Sequence, residues 1–290
     1  MRQDRRAEAL WGLIFVLPTL VLLGVFAVAP AVIAGYYSLT RYNFLTPPVF
    51  IGLGNYARAF ADPDALTVAL NTLFMCLGVP VGMGLALGLG TLLSNRKLRF
   101  GGVYRSIYFL PVILPLVAIG TVWVRLLNED YGLIDNALRA IGLPAVPWLT
   151  SYGWSKVSVT IVGIWAGFGG SLIVLLGGLA NIPLELYEAA RLDGAGGWQL
   201  FRFVTLPLLV PTLAIVSITS LIGALQVFDL VLVITGGGPG NSSTSIAQFI
   251  YNQAFKNFDM GYAATLSVLL FLLMFALSLV QFRASERWRR

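Results

Sequence analysis

The sequence contains no histidine and only one cysteine, Cys76. Without histidine it lacks the commonest general base and metal ligand near neutral pH. A single thiol cannot close an intramolecular disulfide, so cysteine usage is silent on redox compartment. Charge is also scarce. Of 290 residues, 11% are charged and 58% are hydrophobic, and the mean hydropathy is +0.83. A water-soluble domain of this size needs far more charge on its surface. The composition excludes an ordinary soluble globule and makes lipid the solvent for most of the chain.

A helix needs about 20 largely apolar residues to cross the hydrocarbon core. Six segments qualify: Trp11–Tyr36, Val68–Leu93, Ile107–Leu127, Val157–Ala180, Leu208–Ile234 and Ala263–Phe282. The expected architecture is an all-α membrane protein, one domain over 1–290, with six transmembrane helices. Arg2, Arg5 and Arg6 precede the first segment, as in a signal peptide. Its apolar run outlasts the core of about 7–15 residues typical of such signals, so a retained anchor helix is expected. Gly78, Gly82, Gly84 and Gly88 in the second segment, and Gly163 and Gly167 in the fourth, are small residues at spacings that let helices approach closely.

Orientation follows from lysine and arginine. With the N-terminus in the cytoplasm, the inner segments hold Arg2, Arg5, Arg6, Arg96, Lys97, Arg99, Arg105, Arg191, Arg202, Arg283, Arg287, Arg289 and Arg290, most of the 19 basic residues. Arg41, Arg58, Arg125, Arg139, Lys156 and Lys256 are left outside. This obeys the positive-inside rule and puts both termini in the cytoplasm. The net charge of +6 is therefore a topology signal. It is a poor nucleic-acid footprint, because the basic residues sit at span edges rather than on one soluble face.

One stretch on the cytoplasmic side breaks the apolar pattern: YEAARLDGAGGWQLFRFVTLP, Tyr187 to Pro207. Pro183 and Glu185 suit the start of a short helix. The helix can run to Asp193, where Gly194, Gly196 and Gly197 break it. A second short turn, Trp198–Val204, follows, and Leu206-Pro207 is expected to stop it before the chain re-enters the membrane. Leu184, Leu192, Trp198 and Phe201 are apolar residues expected at its surface. Two readings fit them: a helix docking into a groove on another protein, or an interfacial helix lying on headgroups.

Glu188-Ala189-Ala190, then Asp193-Gly194-Ala195, Phe201, Val204, Leu206 and Pro207, resemble the EAA loop of membrane subunits of binding-protein-dependent ABC importers. Val204 stands where that pattern usually has isoleucine. The resemblance implies that the loop, about 181–207 between the fourth and fourth-plus-one spans, forms coupling helices seated in a cleft of an ATP-binding subunit. A second stretch, FDLVLVITGGGPGNSS from Phe228 to Ser243, resembles the sugar-uptake branch, which includes maltose-type and glycerol-3-phosphate-type permeases. Glycines 236–238 lack the GxxxxGK[ST] phosphate-binding pattern and read as a turn leaving a helix. No such pattern occurs anywhere in the chain, so ATP hydrolysis is expected in a separate protein.

An importer needs polar groups near the membrane midplane, where they are otherwise costly. The fifth segment offers Ser217, Thr219, Ser220, Gln226 and Asp229. The resemblance places maltose-type sugar contacts at Ser220, Ala224 and Val227, of which only Ser220 is polar. Gln226 and Asp229 are candidates to compensate, although a structural pairing with a neighbouring helix fits Asp229 as well. Trp165 and Ser171 on the fourth segment are weaker candidates.

The resemblance implies a non-catalytic, multi-pass subunit of a prokaryotic cytoplasmic membrane, importing a sugar or sugar derivative. It implies a second similar permease, two ATP-binding subunits and an extracytoplasmic solute-binding protein as partners. No cofactor is expected on this chain, with ATP and Mg used by the ATPase subunits. The alternatives are an importer of polyols or glycerophosphodiesters, and a membrane-embedded enzyme. The enzyme is disfavoured because the spans hold no histidine and no clustered carboxylates.

Overall fold

A computed structural model of the chain describes residues 2–94 and 101–287. Arg96, Lys97, Arg99, Arg289 and Arg290 of the charge argument lie outside the described residues, as do the side chains of Arg2, Arg5, Arg6 and Arg287. In chain order the helices are α1 (Arg2–Leu23), α2 (Ala29–Ser38), α3 (Gly54–Ala61), α4 (Pro63–Cys76), α5 (Gly78–Leu93), α6 (Gly101–Ile113), α7 (Leu116–Leu126), α8 (Leu133–Ala140), α9 (Trp154–Ala180), α10 (Leu184–Leu192), α11 (Gly197–Leu200), α12 (Leu206–Leu225), α13 (Asp229–Ile234), α14 (Ile246–Tyr251) and α15 (Met260–Arg287). Two-residue strands pair antiparallel, Thr40 with Phe50 and Arg41 with Val49. Five helical runs are long and apolar enough to cross a membrane, and the bent pair α6–α7 makes a sixth if it counts as one span.

The residues form two compact units: Met1–Asp62 with Ile250–Leu269, and Pro63–Phe249 with Leu270–Arg290. In the first unit, α1 and α2 join through a widened π turn, Gly24–Val28, into an apolar helix whose most hydrophobic stretch has no buried residue. Side chains apolar on every face suit lipid on every face. Polar contacts hold its C-terminal end. The Ser38 carbonyl accepts from Asn55 Nδ2 at 3.0 Å and from Thr265 Oγ1 at 3.0 Å. Arg58 pairs with Asp259 at 2.6 Å and lies 4.0 Å over the Tyr262 ring, whose hydroxyl donates to Asp62 at 2.7 Å.

In the second unit, α5 packs along α9 through a row of small residues, Gly78, Gly82, Ala86 and Gly90, all buried and four apart. A Cβ on Gly78 would stand 3.0 Å from Thr160 and 3.1 Å from Ile164, and one on Gly90 would stand 3.4 Å from Leu179. Close approach of this kind gives two lipid-embedded helices dispersion contact without a hydrophobic drive. Gly84, Gly88 and Gly167 belong to no such contact: a Cβ on any of them would meet nothing within 4 Å. They lie off the packing row, so spacing within one helix overstated which glycines pack. Tighter contacts fall elsewhere, among them those of Gly169 and Gly178. A Cβ on Gly169 would collide with the Tyr108 carbonyl oxygen, and one on Gly178 would stand 2.7 Å from Thr212 Oγ1.

Three sequence expectations need correction. The segment Ile107–Leu127 is not straight: α6 and α7 are bent by 99°. Pro115, at the N-cap of α7, has no N–H to continue α6 and keeps Leu114 out of helical geometry. The segment Leu208–Ile234 is interrupted after Leu225 and resumes as α13 at Asp229. Leu206-Pro207 does not stop the preceding turn. Gly197–Leu225 is one helical run, because a π turn at Phe201–Thr205 lets Leu206 N–H bond Phe201 O and absorbs the donor missing at Pro207.

The α6–α9 contact yields a test. Gly169→Val forces a side chain against the backbone of α6, and such overpacking costs about 1–3 kcal/mol. Gly177→Val, on the same helix with nothing within 4 Å, is expected to be tolerated. Thermal unfolding of the purified protein in detergent should separate the two variants.

Candidate functional site

The interruption between α12 and α13 borders an open cavity of about 510 Å³ in the second unit. Its walls come from the α4–α5 junction, from α9 and from residues 216–230. Of the candidates in that last stretch, Thr219, Ser220, Ala224, Gln226, Val227 and Asp229 line it together. Ser171 joins them from α9, its Oγ 3.4 Å from Ser220 Oγ. Trp165 does not line the cavity; its ring packs edge-on against Trp123 at 5.6 Å. Ser217 is also turned away and accepts from Gln281 Nε2 at 3.1 Å.

The wall is mostly apolar, with few free polar groups. Thr160 and Thr219 contribute to it, yet their hydroxyls donate to the carbonyls of Lys156 and Ile215 one turn back. Sequence reasoning passed over Gly170 and Gly223. Both line the cavity, and a Cβ on either would meet nothing within 4 Å. Their signal was a glycine in an apolar helix, which does not distinguish packing from empty space.

The break that ends α12 is braced. Ser245 Oγ donates to the Val227 carbonyl at 2.6 Å, satisfying a group released from the helix. Phe228 O accepts from Leu232 N at 2.9 Å and starts α13. The glycine-rich turn is bound internally, as the turn reading expected. Gly237 N donates to Thr235 Oγ1 at 3.1 Å and Gly238 N to Thr235 O at 3.2 Å, so neither amide is left for a phosphate. The turn is also tied to α4, where Asn71 Nδ2 donates to Asn241 O at 2.6 Å and Thr72 Oγ1 accepts from Ile246 N at 2.9 Å.

The second candidate region is the segment from Glu188 to Pro207. Helix α10 ends in a Schellman turn: Gly194 has φ +86°, its N–H reaches Arg191 O at 3.0 Å, and Ala195 N–H reaches Ala190 O at 2.9 Å. A glycine at this position meets no Cβ penalty for the left-handed conformation. Of the three glycines expected to break the helix, only Gly194 is left-handed. Gly196 is extended, and Gly197 opens α11. Gln199 Oε1 accepts from Gly196 N–H at 2.8 Å, and Tyr187 OH meets Thr205 Oγ1 at 2.9 Å across the turn.

The apolar side chains here are bare. Leu192 is 90% exposed, Trp198 72% and Phe203 71%. Phe201 is half-buried, leaning on the Trp198 ring at 5.5 Å, so Phe203 takes the exposed place expected of it. Glu188, Ala189 and Asp193 are exposed too. Ala190, Asp193, Gly194, Ala195, Phe203 and Val204 line a shallow concavity of about 190 Å³.

Residues 78–290 match the family described as the binding-protein-dependent transport system inner membrane component. The chain belongs to that family. A lactose transport system permease protein from Rhizobium radiobacter is 37% identical over 95% of this chain and 94% of its own length. A trehalose/maltose transport system permease protein from Thermococcus litoralis is 34% identical over 98% and 96%. The fold is that of a chain in a bacterial ABC transporter involved in the import of the acidic polysaccharide alginate, with TM-score 0.84, 24% identity and 99% of each chain covered. This family member is thus a multi-pass inner membrane component.

The braced helix break generates a prediction. Ser245→Ala leaves the Val227 carbonyl without its side-chain donor, and an unmet polar group in a partly buried place costs about 1–3 kcal/mol. Thermal unfolding in detergent should show the loss, with the helical circular dichroism signal of the folded state unchanged.

Proposed function

We propose that this family member is a permease subunit of an ATP-driven, binding-protein-dependent importer carrying a sugar or sugar derivative across the cytoplasmic membrane. One observation carries the proposal: a mostly apolar cavity inside the spanning unit, with Ser171, Ser220, Gln226 and Asp229 converging on it. A solute pathway through a membrane needs polar groups along it, and a lipid-facing helix does not. The sugar class is supported by relatives named for lactose and trehalose/maltose transport, at 37% and 34% identity over nearly the whole chain.

The cavity is open rather than enclosed, so this chain alone does not wall off a pathway. A second, similar permease would complete the wall, and alternating access would run along their interface. Residues Glu188–Ala190, Asp193–Ala195, Phe201, Leu206 and Pro207 would form the joint with one of two ATP-binding subunits, its bare Leu192, Trp198 and Phe203 filling a cleft there. ATP and Mg would be bound by those subunits, with no cofactor on this chain. A solute-binding protein would deliver cargo on the outer face, both termini lying in the cytoplasm.

Two experiments test the proposal. Affinity purification of the tagged chain from its native membrane should recover one second permease and two copies of an ATP-binding subunit. An active transporter built from this permease alone would refute the pairing. Ser220→Leu combined with Gln226→Leu should lower ATP-driven uptake at least tenfold, a loss of about 1.4 kcal/mol or more, while the complex still assembles. Unchanged uptake kinetics would place the pathway elsewhere.

A further inference from the structure

Helix α2 ends at Ser38, and the chain beyond it stays apolar without staying helical. No charged residue occurs between Arg41 and Arg58. In that stretch the two short strands and the residues around them leave Phe44, Leu45, Val49, Phe50 and Leu53 bare, with Leu45 86% exposed and Leu53 69%. A contiguous apolar surface of this kind marks a site that something apolar covers.

Two observations say what covers it. The first is continuity with the span. Tyr36 is exposed on the helix whose faces suit lipid all round. Its ring lies 5.8 Å from that of Tyr37, Tyr37 stacks on Tyr42 at 4.6 Å, and Tyr42 lies 5.6 Å from Phe44. The rings lead from the lipid-facing helix to the tip of the hairpin. The second is the kind of residue. Aromatic rings at the end of a span settle at headgroup level, and a flanking arginine such as the exposed Arg41 reaches for phosphate. A surface that binds and releases a soluble protein carries a polar, charged rim instead.

The tip is held in shape. Asn43 Oδ1 accepts from Leu45 N at 3.2 Å and from Thr46 N at 3.0 Å. Between them Phe44 has φ +65°, a left-handed conformation that strains a bulky residue and that glycine or asparagine adopts more easily. The fold bears this strain and leaves the ring exposed. Phe258 repeats the pattern, with φ +55° and an exposed ring. Its segment is tied to the hairpin, since Gly261 N donates to Tyr42 O at 3.1 Å.

We propose that residues 42–53 are a lipid anchor. Phe44 and Leu45 at the tip sit in the headgroup–acyl boundary at the bilayer surface where α2 ends, and they fix the first unit against that surface. The anchor depends on the chain lying in a membrane, and it is independent of the cargo and of the ATPase.

The test uses the protein purified through a tag on this chain, with the subunits that accompany it, in vesicles of phosphatidylethanolamine and phosphatidylglycerol. With Cys76→Ala to remove the native thiol, Leu45→Cys carries a nitrobenzoxadiazole dye. Quenching is measured with phospholipids spin-labelled near the headgroup or near the chain end, and with iodide in the water. Val25→Cys, bare in the middle of the first apolar helix, is the deep reference, about 15 Å below the boundary. The proposal expects the shallow spin label to quench the dye at position 45 more than the deep one, the reverse of position 25. Depth should come out at about 5–10 Å into the headgroup–acyl boundary, with iodide quenching several-fold weaker than for the free dye.

Iodide quenching as strong as for the free dye puts the hairpin in water and overturns the proposal. A dye shielded from iodide and from both spin labels lies under protein, a second permease or a solute-binding protein, and overturns it too. Leu53→Cys is a second reporter on the same surface, read by the same outcomes where the variant at position 45 fails to assemble. With the dye at position 53, adding Leu45→Glu puts a charge into the boundary and should raise iodide quenching several-fold while shallow quenching falls. A dye at position 53 that is indifferent to Leu45→Glu overturns the anchoring role of the tip.

Discussion

A backbone in lipid has no water to bond with, and the rest of this structure depends on that constraint. Helices satisfy their own N–H and C=O groups, which is why an apolar chain folds into long helical runs. Each interruption then exposes groups that something must satisfy. At the end of α12 the Val227 carbonyl is met by Ser245. At the end of α10 the last carbonyls are met by the amides of Gly194 and Ala195. Before α12, a π turn carries the helix past Pro207 by shifting its bonds one residue.

These braced breaks are where the chain does something other than span. The one after α12 ends a helix wall and opens a cavity carrying Ser220, Gln226 and Asp229. The one after α10 turns two short helices against each other and leaves Leu192 and Trp198 bare. An apolar surface of that kind needs either lipid or a partner. A single left-handed residue holds the turn, so the presentation of both side chains depends on Gly194. In the proposed importer, the first break shapes the route of the cargo and the second receives the motion of the ATPase.

Much of this was legible in the sequence, because hydropathy and charge are read residue by residue. The scarcity of charge gave the solvent, and runs of aliphatic residues gave the spans. The pattern from Glu188 to Pro207 gave a loop whose glycine at 194 is left-handed as expected. The 99° bend at Leu114-Pro115 was harder to see, because the residues on both sides are equally apolar and hydropathy carries no direction. The break at 226–228 was hidden for the same reason. Which glycines pack was also illegible: Gly169 and Gly84 look alike in the chain, and only the neighbouring helix distinguishes them. The convergence of Ser171 with Ser220 is likewise a tertiary fact, since 49 residues separate the two hydroxyls.

The central claim is that the turn at Gly194 passes work from an ATPase to the spanning helices. The most direct measurement is ATPase activity of the reconstituted complex, with and without loaded solute-binding protein, for the native chain and for Gly194→Val. A β-branched residue at φ +86° strains the turn by about 1 kcal/mol or more, without touching the spans. The account predicts normal membrane abundance with loss of cargo-stimulated hydrolysis and of uptake. Full stimulation and full uptake in Gly194→Val would contradict it.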